Sequence, residues 1–217
     1  MIRLLDKGII QVDPIVISPR CYTEGKRQDC FACSLRRLQN GCGSPMAFCT
    51  NEYPGHKRGC PNYGMKDDCC PNMPLFYEIF DRDYPVWAVY TCFDLKEHME
   101  KMKTLHPHWS ERQCGCVLYW QAGARKIHKA FAQRTHADFL PEHQGYWLTD
   151  SPEAMGADMT GTLEKGGLSL EWPCRDRTYK VSLLARVREN ISEGVKIREK
   201  YASLRDDGYI VFKRSRS

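Results

Sequence analysis

The cysteines of this chain are crowded toward one end, and that crowding limits what it can fold into. Eight of the twelve, Cys21, Cys30, Cys33, Cys42, Cys49, Cys60, Cys69 and Cys70, precede residue 71. Between Pro19 and Pro74 they sit among Gly, Pro, Asn and Asp, and only SLRRLQ carries a helical period. A stretch of roughly 50 residues without regular structure is unusual in a compact domain unless something besides an apolar core orders it. Thiolate–metal bonds would supply that order, because ligation energy becomes folding energy. Disulfides are the alternative. The opening MIRLLDKGIIQVDP has charges at positions 3, 6 and 7 and no long apolar run leading to a cleavage site. A reducing cytoplasm is therefore expected, and metal ligation is favoured over a disulfide scaffold. Inert buried thiols are the third reading.

The cysteines fall into two sets. Cys21, Cys30, Cys33 and Cys42 have the nearly symmetric spacing C-x8-C-x2-C-x8-C, whose central pair could set two thiolates on one ion while the outer pair closes a tetrahedron. Cys49, Cys60, Cys69 and Cys70 form the second set, and Cys114 or Cys116 downstream could complete it. Prolines and Gly64 pre-shape the backbone there and lower the entropic cost of closing a cage. Zinc and an iron–sulfur cluster are both compatible with these spacings. No ferredoxin-type C-x2-C-x2-C run is present.

After Pro74 the pattern becomes regular. PLFYEIF reads as a short amphipathic helix and VWAVYTCF (86–93) as a buried strand. Asp94 with Glu97 predicts a helix start whose buried face holds Leu95, Met99, Met102 and Leu105. Ser110 with Gln113 predicts a longer helix over about 111–136. Cys114, Val117, Leu118, Gln121, Ala124 and Phe131 lie along one side of it, and Arg125, His128, Lys129 and His136 along another. GYWLTD (145–150) reads as a strand. Ser151-Pro152-Glu153 predicts the start of a helix that stops at Gly166-Gly167. LSLEW (168–172) and YKVSLLARV (179–187) read as strands. The expected fold is α/β, a mixed sheet flanked by helices, with a cysteine-rich, metal-ordered N-terminal lobe. The expected organisation is a lobe over 1–74, a body over 75–187 and a polar, peripheral extension over 188–217. No apolar run is long enough to cross a bilayer.

Several chemistries are excluded by their motifs. His98-Met99-Glu100 lacks the downstream P-C-x-x-C of a zinc deaminase. There is no phosphate loop, no G-x-G-x-x-G and no G-x-S-x-G. The net charge of +5 permits nucleic acid without requiring it.

The run CPNYGMKDDCCPNMP is similar to the Cys-x-x-Tyr-Gly-x4-Cys-Pro-Pro turn of a family of predicted metal-binding proteins of unknown function. SPEAMGADMTGTLEKGGLSLEW resembles that family's second signature, Glu-Ala-x-Gly-x-Asp. Between them, FDLKEHMEKMKTLHPHWSERQCGCVLYWQAGARK resembles a version associated with bacteriophage genomes. The resemblance spans roughly residues 45 to 187. Cys70 stands where the family has proline, and ADFLPEHQGYW lacks the family's cysteine-rich loop. The resemblance implies metal binding rather than a reaction; a phage setting implies the host cytoplasm and a nucleobase or DNA-modification pathway.

Two functions follow as expectations. In one, the chain is a metal-dependent enzyme acting on a nucleobase or nucleic acid. Tyr119, Trp120, Lys126 and Asp158 would bind the substrate, and Gln121, Arg125 and Glu153 would carry the chemistry. Trp120, Gln121, Arg125 and Glu153 should then face one pocket near Cys114 or Cys116. In the other, the chain is a non-catalytic, zinc-folded module that binds nucleic acid or protein through its basic helix face and the KRSRS tail.

Overall fold

The computed structural model describes residues 2–16, 60–63, 65–66, 69, 73–171, 174–188, 202–204 and 208–212. The elements in chain order are β1 (Arg3–Val12), α1 (Phe76–Ile79), β2 (Val86–Asp94), α2 (Leu95–Leu105), α3 (Glu111–Cys114) and a 3-10 turn (Val117–Tyr119). They continue with α4 (Gln121–Phe139), β3 (Tyr146–Thr149), α5 (Met159–Lys165), β4 (Arg177–Arg186), β5 (Ala202–Leu204) and β6 (Ile210–Phe212). The fold is α/β. Among the described residues its main sheet has four strands in the order β1-β2-β4-β3, and β5 and β6 form a separate pair.

Every ladder between these four described strands is antiparallel, where a mixed sheet is expected from the sequence, and a parallel bridge joins Leu148 of β3 to Tyr209. The centre is β2, whose VWAVYTCFD run is buried on both faces. Alternation sorts its side chains. Val86 and Ala88 join Leu183 and Ala185 of β4 under α1 and α5, in a core that includes Phe76, Phe80, Met155 and Leu163. Val89 and Leu184 face the other way with Tyr146 and Leu148, under Ala132 of α4. Phe93 and Leu95 continue that second layer beneath Trp120 and Ala124.

The helix expected over 111–136 is three pieces. The Ser110–Gln113 capping box is present, but α3 ends at Cys114. Gly115 packs so closely on Met99 that a Cβ there would lie 3.3 Å from its sulfur, and the chain turns away at that contact. Val117, Leu118 and Tyr119 are consequently exposed, Leu118 by 82%. In α4 the sheet-facing residues are Ala124, His128, Ala132 and His136, so the two histidines expected on a solvated basic face are buried.

Helix starts and faces differ elsewhere too. Asp94 caps α2 by accepting from Glu97 N (2.8 Å), but the buried residues of α2 are Leu95 and His98, and Leu105 is exposed. Ser151-Pro152-Glu153 begins a set of turns, and α5 starts at Met159, capped by Asp158. Gly156, at φ 82°, explains the delay, because a left-handed residue cannot sit inside a right-handed helix. The described part of 168–172 is irregular.

The 188–217 segment was expected at the periphery, yet Tyr209 and Ile210 enter the two main cores. Leu148 N donates to Gly208 O (2.9 Å), which lays this segment beside β3. Gly208 has φ 85°, and a Cβ there would overlap the His136 imidazole, whose Nε2 donates to Tyr146 O at 2.8 Å.

Candidate functional site

β3 is short. It pairs with Leu183–Arg186 and stops at Thr149, which leaves 177–182 of β4 without a paired strand on that side among the described residues. A cavity of about 790 Å³ occupies the gap. The first turns of α4 supply Gln121 and Arg125, with Trp120 just before them; the chain leaving β3 supplies Asp150 and Glu153. β4 contributes Lys180, and Glu171 and Cys174 join from the chain before β4. Separate elements thus converge on one opening, at a sheet edge exposed by the shortness of its neighbour.

Trp120 is 6% exposed and its indole Nε1 donates to Gly115 O (3.2 Å), which fixes the ring as a wall. The Lys180 ammonium lies 5.6 Å from that ring's centroid. Glu153 is accessible from the cavity, yet the cleft packs enough protein around it that burial raises its pKa above the ordinary carboxyl value. The nearby Lys180 charge opposes part of that rise. Lys180 moves the other way: burial lowers its pKa, and the Arg125 cation lowers it further. The Cys174 thiol, which donates to Glu171 O (3.3 Å), is pushed up by burial. Glu171 works on its own loop, where its carboxylate accepts from the backbone N–H groups of Arg175, Asp176 and Arg177.

A polar chain runs from the core to the cavity. Ser182 Oγ donates to Asp150 Oδ1, so its oxygen accepts from His128 Nε2 (2.8 Å). His128 Nδ1 is then the acceptor for Thr91 Oγ1 at 3.0 Å. That tautomer is neutral, and burial with the Lys180 charge holds the His128 pKa down at about 4. The chain connects β2, α4, β4 and the end of β3.

Of the residues singled out in the sequence, Trp120, Gln121, Arg125 and Glu153 line this one cavity, together with Gly115. Cys114 does not: it is buried, 1% exposed, and the interruption after α3 removes the shared helix face that was to carry it there. Tyr119 and Lys126 are exposed outside the lining, and Tyr119 packs on Trp109 with ring centroids 5.0 Å apart. Asp158 is buried and accepts from Gly161 N (3.1 Å) as the cap of α5. Replacing it by alanine should therefore cost about 1 kcal/mol of stability in a urea titration while leaving ligand affinity unchanged. Lys180, Asp150, Ser182 and His128 carried no legible signal for this site, since a strand lysine or serine reads as solvent-facing until the neighbouring strand is known to end.

Among the described residues no three His, Cys, Asp or Glu side chains come together as a metal site. Cys21, Cys30, Cys33, Cys42, Cys49 and Cys70 lie outside the described residues. Cys60 and Cys69 are described, both half-buried and both held in tight turns: Tyr63 N donates to Cys60 O (3.1 Å) and Cys69 N to Lys66 O (3.3 Å). Cys116 is half-buried and Cys114 buried, both free. Accessible thiols held by turns suit zinc or an iron–sulfur cluster. Among the described residues, no helix is long and apolar enough to cross a membrane. No family model, curated protein or solved structure matches the chain.

Proposed function

We propose that the chain is an enzyme that binds a planar heterocycle of the nucleobase class in the cavity beside β4 and exchanges a proton with it through Glu153. The observation that carries this reading is the convergence of Trp120, Gln121, Arg125 and Glu153 on one opening. Trp120 offers a flat apolar wall, Gln121 an amide able to donate and accept, and Arg125 a planar cation. A carboxyl with a raised pKa keeps its proton to higher pH than an ordinary one, which suits it to giving a proton and taking it back. The thiols of the N-terminal lobe, Cys60 and Cys69 among them, would hold zinc or an iron–sulfur cluster, in keeping with the resemblance to predicted metal-binding proteins and with a reducing cytoplasm.

Quenching of tryptophan fluorescence by free bases and nucleosides tests the reading. Saturable binding is expected with a dissociation constant on the order of 10–100 μM. Gln121→Ala and Arg125→Ala should each weaken it about tenfold. Protonated Glu153 donates to the ligand, so affinity should fall as pH rises through its elevated pKa, and Glu153→Gln should flatten that profile. No saturable signal up to about 5 mM for any base would overturn the proposal.

One observation favours the non-catalytic alternative. His106 stacks on Trp109 at 3.9 Å and Trp109 packs on the exposed Tyr119, giving an aromatic row at the surface. Such a row suits bases of a single strand. A Trp109→Ala, Tyr119→Ala variant that loses oligonucleotide binding, in a protein that never binds free bases, would favour the module.

A further inference from the structure

We propose that Lys180 is a nucleophilic amine that captures a small aldehyde or ketone, carried on a flat ring, as an imine in the cavity beside β4. The placement of the amine is the first argument. Lys180 projects from the part of β4 that β3 leaves uncovered, into the space walled by Trp120, so its nitrogen is reachable from the cavity. The second is its company. Lysines are kept inside proteins mostly by a carboxylate partner, yet Lys180 has no ion pair or side-chain hydrogen bond to a described residue. Its charged neighbours pull in opposite directions. Arg125 repels the ammonium, while Glu153 and the Cys174 thiol oppose that effect from a distance. Burial is the largest influence and favours the free amine, which is the form that attacks carbonyl carbon.

The cavity also holds the proton carrier that such a step needs. The Lys180 nitrogen forms a bond to the carbonyl carbon as the C=O π bond opens onto oxygen. Glu153, protonated, gives its proton to that oxygen and its carboxylate takes one from nitrogen, leaving a neutral carbinolamine. A second proton from Glu153 lets the hydroxyl depart as water, and loss of the nitrogen proton returns Glu153 to its acid form. The balance is amine plus carbonyl giving imine plus water, with no oxidant or reductant. Trp120 supplies the face on which the ring of such a carbonyl compound would lie.

The inference rests on the cavity as a ligand site and is independent of the ligand being a nucleobase. The test is reductive trapping of the full-length protein with pyridoxal and cyanoborohydride at pH 7, followed by peptide mapping. Lys180 should be labelled at least about tenfold faster than exposed lysines such as Lys96 and Lys101, because its lowered pKa leaves more of it as free amine. Arg125→Gln should slow it several-fold by raising the share of the amine that is charged. Glu153→Gln should slow it at every pH. Lys180→Arg, which keeps the cation, should remove the adduct in a protein of unchanged thermal stability. Labelling of Lys180 no faster than of Lys96 and Lys101 overturns the inference, as does faster labelling in Arg125→Gln. If bases bind and Lys180 stays unreactive, this inference falls and the proposed function stands; if Lys180 reacts and no base binds, the reverse holds.

Discussion

At pH 7 the His128→Leu variant should unfold about 3 kcal/mol more easily than the parent chain, and most of that difference should vanish by pH 4.5. Leucine fills the space of the ring but removes both nitrogens. The Thr91 hydroxyl then loses its acceptor and Ser182 the N–H it receives, inside a layer where water cannot replace them. Leaving such groups unpaired costs about 1–3 kcal/mol each. The pH dependence follows from the ring's own titration. An unfolded imidazole titrates near 6.5 and the folded one at about 4, so between those values the unfolded chain binds more protons. The contribution is fully present above 6.5 and is lost as pH falls toward 4, by about 3 kcal/mol in total and about 2 kcal/mol by pH 4.5. Urea titrations of both proteins at the two pH values give the four free energies. A gap that stays constant from pH 7 to 4.5 would mean that His128 takes up its proton in the fold as readily as in the unfolded chain, and the Thr91–His128–Ser182–Asp150 chain would then have to accommodate a doubly protonated ring.

The second large effect concerns metal. Folded protein purified without oxygen should carry at least one equivalent of zinc or iron held by thiolates that include Cys60 and Cys69. Cys60→Ser should lose that ion. A Cys30→Ser, Cys33→Ser variant should lower the content by one further site while Cys60 ligation survives. The size of the effect comes from the strength of thiolate ligation, about 10–16 kcal/mol for structural zinc sites at neutral pH. Chelation should accordingly abolish the protease resistance of the N-terminal lobe. Elemental analysis giving less than about 0.3 equivalents of zinc and iron together would end the idea. A brown protein would point to an iron–sulfur cluster and a colourless, zinc-loaded one to a structural or hydrolytic site.

What the sequence disclosed and what it hid have the same physical origin. Local rules were legible because they act over three or four residues. The Ser110–Gln113 box, the Asp94 cap and the apolar run of β2 all appear where spacing puts them. The stop at Gly166-Gly167 does too, with Gly167 at φ 86°. Breaks imposed by distant packing were not legible. Nothing within 111–136 announces that Gly115 will meet Met99 of the preceding helix. The same holds for His128 and His136, which look like a wet face until Ser182 and the Tyr146 carbonyl arrive from other strands to satisfy them. Four of the site residues were legible from their chemistry and from the spacing of an unbroken helix. Arg125 and Gln121 share a face despite the break because they lie four apart within α4. Cys114 does not, because it lies across the break. Lys180 and Asp150 depended on where one strand ends, which is a property of the sheet rather than of any segment.

The position of β1 has a consequence in time. Among the described residues it lies at an edge of the sheet and pairs there with β2, which begins more than seventy residues later in the chain. At ribosomal speeds of about 5–20 residues per second, β1 emerges roughly 4–15 s before the strand that will cover it. Through that interval Leu4, Ile10 and Val12 have no sheet to join, and the cysteine-rich stretch is being made. Metal capture by that stretch, if it comes first, would close the loop between β1 and β2 and shorten the search that brings them together. A nascent chain stalled just before β2 would then differ most between zinc-replete and zinc-starved translation, and β1 would be the segment on which a chaperone waits.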